Sequence, residues 1–538
     1  MKKLSMSFAV IICAMLLLTG CDVAGATGGI INFENIANNI EGIGELLEGL
    51  GDISSLIEGI GNNQSSEYPT TGENDWETAY GTEESFVPDE QTATERPDRP
   101  QRPESPTESS IPDVNDPNAP ELNGSDYGGR SVMMLAANED NGWMSFNDGG
   151  SVVDSAVYAR GVAIGEQLNV VLEIQYQYDS TVTAEALRNH ALNLWCAGMP
   201  VDIVIAPTVA IQSLALQGAM GDWYNSGVEV DREWWYQDAK DQFTTTYGRL
   251  YSLAGDGSHA IMENTLVTYV NLNSLSMLDL GSEQLYSNVD RNAWTYEMLY
   301  QYSQKMDADL DGDGAFTLRD RFGYGIDATA AYAVIASNGE HMLVNSTGKW
   351  SFNSGITERL INVTDYVSGR FIAYASSSDF QNAFEEGRSL FYTQRLSYAE
   401  DLKNYGVNFG ILPTPNYYGS DYVSLVTVGA PVIGYCRGIS ELALVADVVD
   451  LLGYYGTGTV STYAYSIALD SRTYDMLGIV HSSLFFDYDH LMRGSLYSAV
   501  AKQIINGNYA IASTVASYRA KAESEVRNWS ETLDGMAP

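Results

Sequence analysis

The pattern of apolar and polar positions divides the chain into stretches of different character. A short apolar run spans residues 8–18, directly after two lysines. Across residues 33–60 apolar side chains recur every three or four positions, which is typical of one helical face, although five glycines interrupt the stripe. Residues 65–129 show no such period, whereas short apolar runs recur from residue 131 onward. The pattern therefore predicts a packed core only in this last stretch.

Strand-like and helical segments alternate in the first part of the core region. The strand-like segments are rich in Val, Ile and Leu, and the segments between them have helical periodicity. The strands are predicted at 131–137, 170–176 and 201–206, and the helices at 154–167, 183–196 and 210–220. This order predicts a parallel sheet with helices on both faces. Ligands bind at the carboxyl ends of such strands, here the loops 138–150 and 206–209.

The composition adds a strong acidic bias. The chain carries 70 Asp and Glu against 28 Lys and Arg, a formal net charge of −42. Such a surface repels phosphate backbones, so nucleic acid is not expected as a partner. Residues 22–130 hold 23 acids and 4 bases, many of them among Pro, Ser, Thr and Asn. This stretch predicts a mostly disordered tether with a span of about 60 Å.

The N-terminus has the features of a secretory signal. Two lysines precede an apolar run that is too short to span a bilayer, and the run ends in Leu18-Thr19-Gly20-Cys21. These four residues resemble the lipobox of bacterial lipoproteins. The resemblance implies a signal peptide at 1–20, a Cys21 that carries fatty acyl chains such as palmitate, and a mature chain anchored on the extracytoplasmic face of the cell membrane. An ordinary signal peptide with an unrelated cysteine is the alternative.

Two further cysteines, Cys196 and Cys436, belong to the core region. An extracytoplasmic pair could form a disulfide. Both residues have apolar neighbours in the sequence, so two buried free thiols are an equally open interpretation.

One twelve-residue segment, 309–320, has the pattern of a calcium-binding loop. Its oxygen ligands fall at the positions that such a loop uses, and Gly314 stands where the chain must turn sharply. The predicted ligands are Asp309, Asp311, Asp313, the carbonyl of Ala315, Thr317 and Asp320. The loop resembles those of dockerins and bacterial extracellular proteins, with Asp in place of Glu at its last position. We expect a structural Ca²⁺ here; an acidic turn without an ion is the alternative.

Motifs of catalysis are absent from the sequence. The five histidines form no His-Glu-x-x-His pattern and have no zinc-ligand spacing, and there is neither a Gly-x-Ser-x-Gly elbow nor a phosphate-binding glycine loop. A glycosidase-type carboxylate pair would not be visible from sequence spacing. The prediction is a protein that is not an enzyme, with a surface carbohydrate enzyme as a minor alternative.

Eight short pieces in order resemble the extracellular solute-binding proteins of ABC transporters, in the carbohydrate-binding family. The pieces lie at 197–204, 216–223, 233–235, 247–251, 269–271, 294–297, 384–391 and 409–415. The resemblance rests on all eight pieces in order behind the lipobox, among them Trp294-Thr295-Tyr296-Glu297 and Phe409-Gly410-Ile411-Leu412-Pro413. Leu272, where a Lys is usual, and the long acidic tether depart from the family pattern.

The resemblance implies an α/β, two-lobed fold of the periplasmic-binding-protein type (class II) over residues 131–530, with a hinge between the lobes. The chain would cross between lobes near 262–270 and 413–425. The implied function is capture of a sugar or oligosaccharide by a monomer, which delivers it to ABC permease subunits. A surface lipoprotein that binds polysaccharide or a protein partner without transport is the alternative.

Sugar recognition needs aromatic faces and polar side chains at the site. On that basis the candidate ligand contacts in the first lobe are Trp143, Asn147, Asp148 and Thr208. Between the lobes and in the second lobe they are Asn264, Trp294 and Tyr398.

Overall fold

The computed structural model describes residues 117–535, with gaps at 140, 146–147, 177–185, 187–188, 192, 195–200, 315–316, 347–348, 374–376, 418–420 and 508–509. The predicted signal peptide, Cys21 and the tether up to residue 116 lie outside the described residues.

The described chain alternates strands and helices. The strands are β1 Arg130–Ala136, β2 Val170–Tyr176, β3 Ile203–Pro207, β4 Leu266–Asn271, β5 Phe322–Ile326, β6 Leu343–Ser346, β7 Lys349–Phe352, β8 Ile372–Ala373, β9 Ser389–Arg395, β10 Phe409–Leu412, β11 Ser424–Leu425, β12 Pro431–Tyr435 and β13 Leu484–Phe485. The helices are α1 Val152–Leu168, α2 Thr208–Ala215, α3 Gln237–Phe243, α4 Ala260–Glu263, α5 Leu272–Met277, α6 Ser282–Asp290, α7 Tyr296–Met306, α8 Ala328–Ala336, α9 Ile356–Val367, α10 Ser377–Glu385, α11 Tyr398–Asn404, α12 Leu442–Ile467, α13 Ser471–Ser482, α14 Tyr488–Leu491, α15 Ser495–Ile505 and α16 Ile511–Gly535.

The first lobe is built on a four-stranded sheet in the order β12-β3-β1-β2. β1 runs parallel to both β2 and β3, as the sequence predicts, and β12 returns antiparallel to β3. β3 and β12 are almost entirely buried, which explains their continuous apolar composition. Helices α1 and α2 lie between these strands in sequence, and α2 packs on β3 and β12.

The second lobe is built on a five-stranded sheet in the order β10-β4-β9-β5-β8. β4 is antiparallel to both β9 and β10, whereas β5 is parallel to β9 and β8. All six residues of β4 are buried, and Tyr269 and Val270 on successive positions belong to separate core clusters on the two faces of the sheet. The molecule therefore has the predicted α/β architecture of two lobes.

The chain passes between the two sheets in more than one place. Residues 264–266 lead from the first lobe into β4, and residues 413–430 return by way of β11 to β12. Thr265 forms a bridge with Val426, and β11 pairs in parallel with β13. Helix α12 packs along α1, and residues near its end join the core of the second lobe. The lobes are thus connected by strands and by one long helix.

The folded part extends upstream of the boundary that composition suggested. Asp447, buried in α12, accepts hydrogen bonds from the backbone N–H groups of Asn123 (2.8 Å) and Gly124 (2.9 Å) and from the hydroxyl of Tyr127 (2.6 Å). Burial and this carboxylate raise the pKa of Tyr127 to about 12. Residues that were assigned to the tether therefore bind the first lobe. Composition misses this because the partners, Asp447 and residues 168–169 among them, are distant in the sequence.

Candidate functional site at the lobe junction

The two sheets present equivalent ends toward the segments that connect them. In the first lobe Pro207 at the end of β3 pairs with Pro431, where the chain enters β12 from the connection. In the second lobe Arg395 at the end of β9 pairs with Leu266, where the chain enters β4. The carboxyl ends of β1, β3, β5 and β9 therefore all lie on the sides from which the connections leave. Ligands of α/β sheets bind at such ends. We call the three side chains Asn264, Asp327 and Arg395 the junction edge.

Asn264 lies in the first connection and holds the second connection against it. Its backbone carbonyl accepts the N–H of Thr427 at 2.8 Å, and its side-chain amide donates to the carbonyl of Ala260 at 2.9 Å. A Cβ on Gly429 would lie 2.8 Å from Asn264 Oδ1, so the absence of a side chain at 429 permits this approach. The Asn264 side chain is half-buried, which leaves part of it open to a ligand.

Arg395 supplies a positive charge at the junction edge. Its side chain is exposed, and Nη1 lies 3.5 Å from Asn264 Oδ1, at the outer limit of a hydrogen bond. It forms no ion pair with any carboxylate among the described residues. Its guanidinium donors are therefore available to an oxygen-rich ligand.

Asp327 follows β5 directly and begins α8. Its Oδ1 accepts the N–H of Ala330 at 2.8 Å as a helix cap, and its other oxygen has no hydrogen-bond partner among the described residues. Burial raises the pKa of this carboxyl, although the hydrogen bond from Ala330 opposes the shift.

The chain is similar in structure to solved proteins from three bacteria. No family model and no curated protein sequence matches it. One solved structure is the ABC substrate-binding protein Lmo0181 from Listeria monocytogenes in complex with cycloalternan, with 11% identity, a TM-score of 0.46, and coverage of 74% of this chain and 98% of that one. M. tuberculosis UspC has 14% identity, a TM-score of 0.48 and coverage of 73% and 99%. The GacH receptor of Streptomyces glaucescens has 13% identity, a TM-score of 0.45 and coverage of 73% and 98%.

The predicted aromatic contact of the first lobe, Trp143, lies in the core. It has no exposed surface, its indole N–H donates to the carbonyl of Pro431 at 3.1 Å, and its ring stacks on Trp235 with centroids 6.3 Å apart. The buried Arg160 donates a hydrogen bond to the Trp143 carbonyl at 2.6 Å and so holds the loop in place. In this conformation Trp143 supports the loop before α1 and presents no face to a ligand.

The predicted contacts Trp294 and Tyr398 lie in the core of the second lobe. Trp294 is fully buried, and its indole donates to the carbonyl of Pro413 at 3.0 Å. Tyr398 donates to Glu385 at 2.6 Å, and burial together with that carboxylate raises its pKa far above the usual value. Their contact with a ligand stays a prediction that this conformation does not display.

The remaining predicted contacts are placed nearer to strand ends. Thr208, almost fully buried, begins α2 directly after β3. Asp148 is exposed and accepts a hydrogen bond from Ser155. Asn147 lies outside the described residues. Of the seven predicted contacts, Asn264 alone belongs to the junction edge. Asp327 and Arg395 are not among them, because the strands β5 and β9 that place them are not among the predicted elements; the rule for strand ends applies to both once those strands are recognised.

The acidic loop 309–320 folds back on itself. One carboxylate oxygen each from Asp309, Asp311 and Asp313 lies within 4.8 Å of the others, and all three residues are exposed. Asp309 also accepts the N–H groups of Gly312 at 2.7 Å and Gly314 at 2.9 Å. Gly314 has a φ of +76°, the left-handed conformation that the sharp turn requires.

The end of the loop is held by Asp320, which is buried. One of its oxygens accepts the N–H of Leu310 at 2.9 Å, and the other accepts the N–H of Thr317 at 2.7 Å and its hydroxyl at 3.2 Å. These backbone hydrogen bonds lower the pKa of Asp320. Ala315 lies outside the described residues. The three converging carboxylates of Asp309, Asp311 and Asp313 suit a hard cation that prefers oxygen ligands. Asp320, by contrast, closes the loop by accepting hydrogen bonds from the loop backbone.

Two further observations concern the thiols and the membrane. Cys436 is a free thiol, and burial raises its pKa to about 12; Cys196 lies outside the described residues. Among the described helices none combines the length and apolar character needed to cross a membrane.

Proposed function

We propose that this chain is a lipid-anchored, extracytoplasmic solute-binding protein that captures a sugar or oligosaccharide between its lobes and delivers it to an ABC permease. The observation that carries the proposal is the junction edge, where carboxyl ends of strands from two lobes face the same connecting segments. A solute that contacts both lobes binds the closed arrangement better and shifts the population toward it. No bond of the solute is broken in this proposal.

Binding calorimetry of the full chain against a panel of oligosaccharides tests the proposal. We expect Asn264→Ala and Arg395→Ala each to weaken the binding of a sugar by about tenfold, because each removes polar contacts to the ligand. Matched controls are Asn408→Ala, at the far end of β10, and Arg527→Ala, exposed on α16. Hydrolysis of the sugar, or no binding across a wide panel, contradicts the proposal.

We further propose that Cys21 carries the lipid anchor and that the acidic tether sets the reach of the receptor from the membrane. Support comes from the sequence Leu18-Thr19-Gly20-Cys21 and from the acidic composition of residues 22–130. Cells fed a palmitate analogue with a chemical handle should label the wild-type protein. Labelling that persists in Cys21→Ser contradicts the assignment of the anchor.

We also propose a structural Ca²⁺ in the loop 309–320, supported by the three converging carboxylates. Calcium at 10 to 100 times its Kd should add about 1.4 to 2.7 kcal/mol to the free energy of unfolding by mass action. Chelation should reverse the gain in melting temperature, and Asp311→Asn should reduce it, while Asp241→Asn on α3 should not. An equal response to Mg²⁺, or none to Ca²⁺, contradicts the site.

A further inference from the structure

A cavity of about 400 Å³ lies between α12 and α13, and no residue of the junction edge lines it. Its floor is apolar and includes Met262, Val460 and Leu477. The lining also contains the carboxylates Glu233 and Asp256 from the first lobe and His481 at the end of α13. The cavity therefore combines apolar surface with charged groups.

His481 pairs with Asp256 in the lining, which leaves Glu233 as the carboxylate without a partner. The lining contains two carboxylates and no Lys or Arg. Glu233 is exposed and forms no hydrogen bond or ion pair with any described residue, whereas Asp256 is buried and accepts from His481 at 2.7 Å and from Tyr236 at 2.8 Å. The nearby Arg232 is bound to Glu229. Glu233 is thus a negative charge without a partner at the mouth of the cavity.

Apart from Trp234, Tyr474 and His481, the polar side chains of the walls offer hydrogen-bond acceptors. The hydroxyls of Thr457 and Ser461 donate to carbonyls of their own helix, so their free lone pairs are what a ligand would meet. Gly478 of α13 also lines the cavity, and a Cβ built there would meet no atom within 4 Å. The space is therefore open along one face of α13.

We propose that this cavity binds a small organic cation, a primary ammonium on a short aliphatic body, with the ammonium at Glu233 and the aliphatic part on the apolar surface of Met262, Val460 and Leu477. A sugar would need donors as well as acceptors for its hydroxyls, and the walls supply few donors. A metal ion would need several converging ligands, and in the described part of the chain such a group of three occurs only at Asp309, Asp311 and Asp313. The proposal is independent of the solute captured at the junction edge.

The probe for this site is n-butylammonium, titrated into the full chain at constant ionic strength, with n-butanol as the matched neutral probe. We expect saturable binding of the cation by calorimetry and a rise in melting temperature. Glu233→Gln, at an exposed position, should weaken binding about fivefold because it removes the unpaired charge. Gly478→Met should abolish binding by filling the cavity, and Gly478→Ala should retain it.

Circular dichroism melting of each variant without the probe separates a filled cavity from a misfolded protein, and the Glu233→Gln result stands even if Gly478→Met does not fold. Equal binding of n-butanol overturns the proposal, since it would show an apolar cavity without charge selection. The absence of saturable binding of n-butylammonium overturns it as well, as does unchanged affinity in Glu233→Gln.

Discussion

Two sets of contacts between the lobes differ in charge and in the length of their polar contacts. At the junction edge the closest polar approach between side chains is the 3.5 Å from Arg395 to Asn264. The other set of contacts includes helices α3 and α13. In it, His341 lies 2.8 Å from Asp238 of α3 and 3.8 Å from Asp487, and its ring stacks on Phe485 with centroids 4.2 Å apart.

A second His–Asp pair belongs to the same set of contacts. His481 at the end of α13 lies 2.7 Å from Asp256 of the first lobe, whose other contact is the hydroxyl of Tyr236. We call the His341 and His481 contacts together the histidine seam. The seam is half-buried and ionic. The junction edge runs from the buried Asp327 to the exposed Arg395, and the contact between Arg395 and Asn264 is long, at 3.5 Å. Closure on a solute, as proposed above, requires movement at the junction edge while other contacts hold the lobes together, and the longer contact at that edge fits this requirement.

The largest expected effect comes from breaking the seam at Asp238. One of its oxygens pairs with His341 and the other accepts the N–H of Phe486 at 2.7 Å. Asp238→Ala leaves both groups unpaired and should lower the free energy of unfolding by about 2–3 kcal/mol, measured by denaturant unfolding. The control is Asp241→Ala, exposed on the same helix. If both variants unfold alike, the seam does not hold the lobes.

The seam should also weaken with alkali. Burial alone would lower the pKa of His341, but Asp238 and Asp487 outweigh it and raise the pKa to about 9. A histidine whose pKa is raised on folding contributes stability that is complete below the unfolded pKa, about 6.5, and is lost as pH rises through the folded value. The loss between these limits should be at most about 3 kcal/mol.

The measurement is the difference in unfolding free energy between the wild-type protein and His341→Gln across that pH range. Other groups that titrate in both proteins cancel in this difference. The difference should shrink toward zero as pH rises past about 9. A difference that stays constant with pH would show that packing on Phe485, and not charge, is what His341 contributes.

A smaller effect is expected at the other half of the seam. Asp256→Asn keeps an acceptor for Tyr236 and removes the charge that faces His481. Burial lowers the pKa of His481 and Asp256 raises it, and the net effect is an increase. The cost should be about 1 kcal/mol near neutral pH, and Glu233→Gln, an unpaired carboxylate of the same cavity, should cost nothing measurable. Equal melting temperatures for Asp256→Asn and the wild-type protein contradict an ionic role.

The parts of this structure that sequence could predict are those set by neighbouring residues. The strands β1 to β3 follow from short apolar runs, and the acidic loop follows from the spacing of three aspartates. Trp143 and Trp294 could not be placed, because their indole partners Pro431 and Pro413 lie 288 and 119 residues away. An aromatic side chain that contacts a ligand and one that packs in the core have the same local sequence pattern.

The histidine seam shows that polar partners distant in the sequence are equally hard to predict. No residue near His341 in the sequence indicates that its partner is Asp238, which lies 103 residues away and comes from the other lobe. Arg395 ends β9 and Asp327 directly follows β5, two strands that are not among the predicted elements. The rule for strand ends reaches these two residues only once both strands are recognised, whereas pairing across the lobes requires the fold.

The smallest effect on stability, with the clearest effect on binding, is expected from Gly429→Ala at the junction edge. A Cβ there would lie 2.8 Å from Asn264 Oδ1, and the flexible amide can turn away at little cost in folding free energy, about 0.5 kcal/mol. The turned amide no longer faces the ligand, so sugar affinity should fall while the melting temperature barely changes. Gly281→Ala, where a Cβ meets nothing within 4 Å, is the control. A loss of stability without a loss of affinity would place Asn264 among the structural contacts and remove it from the ligand site.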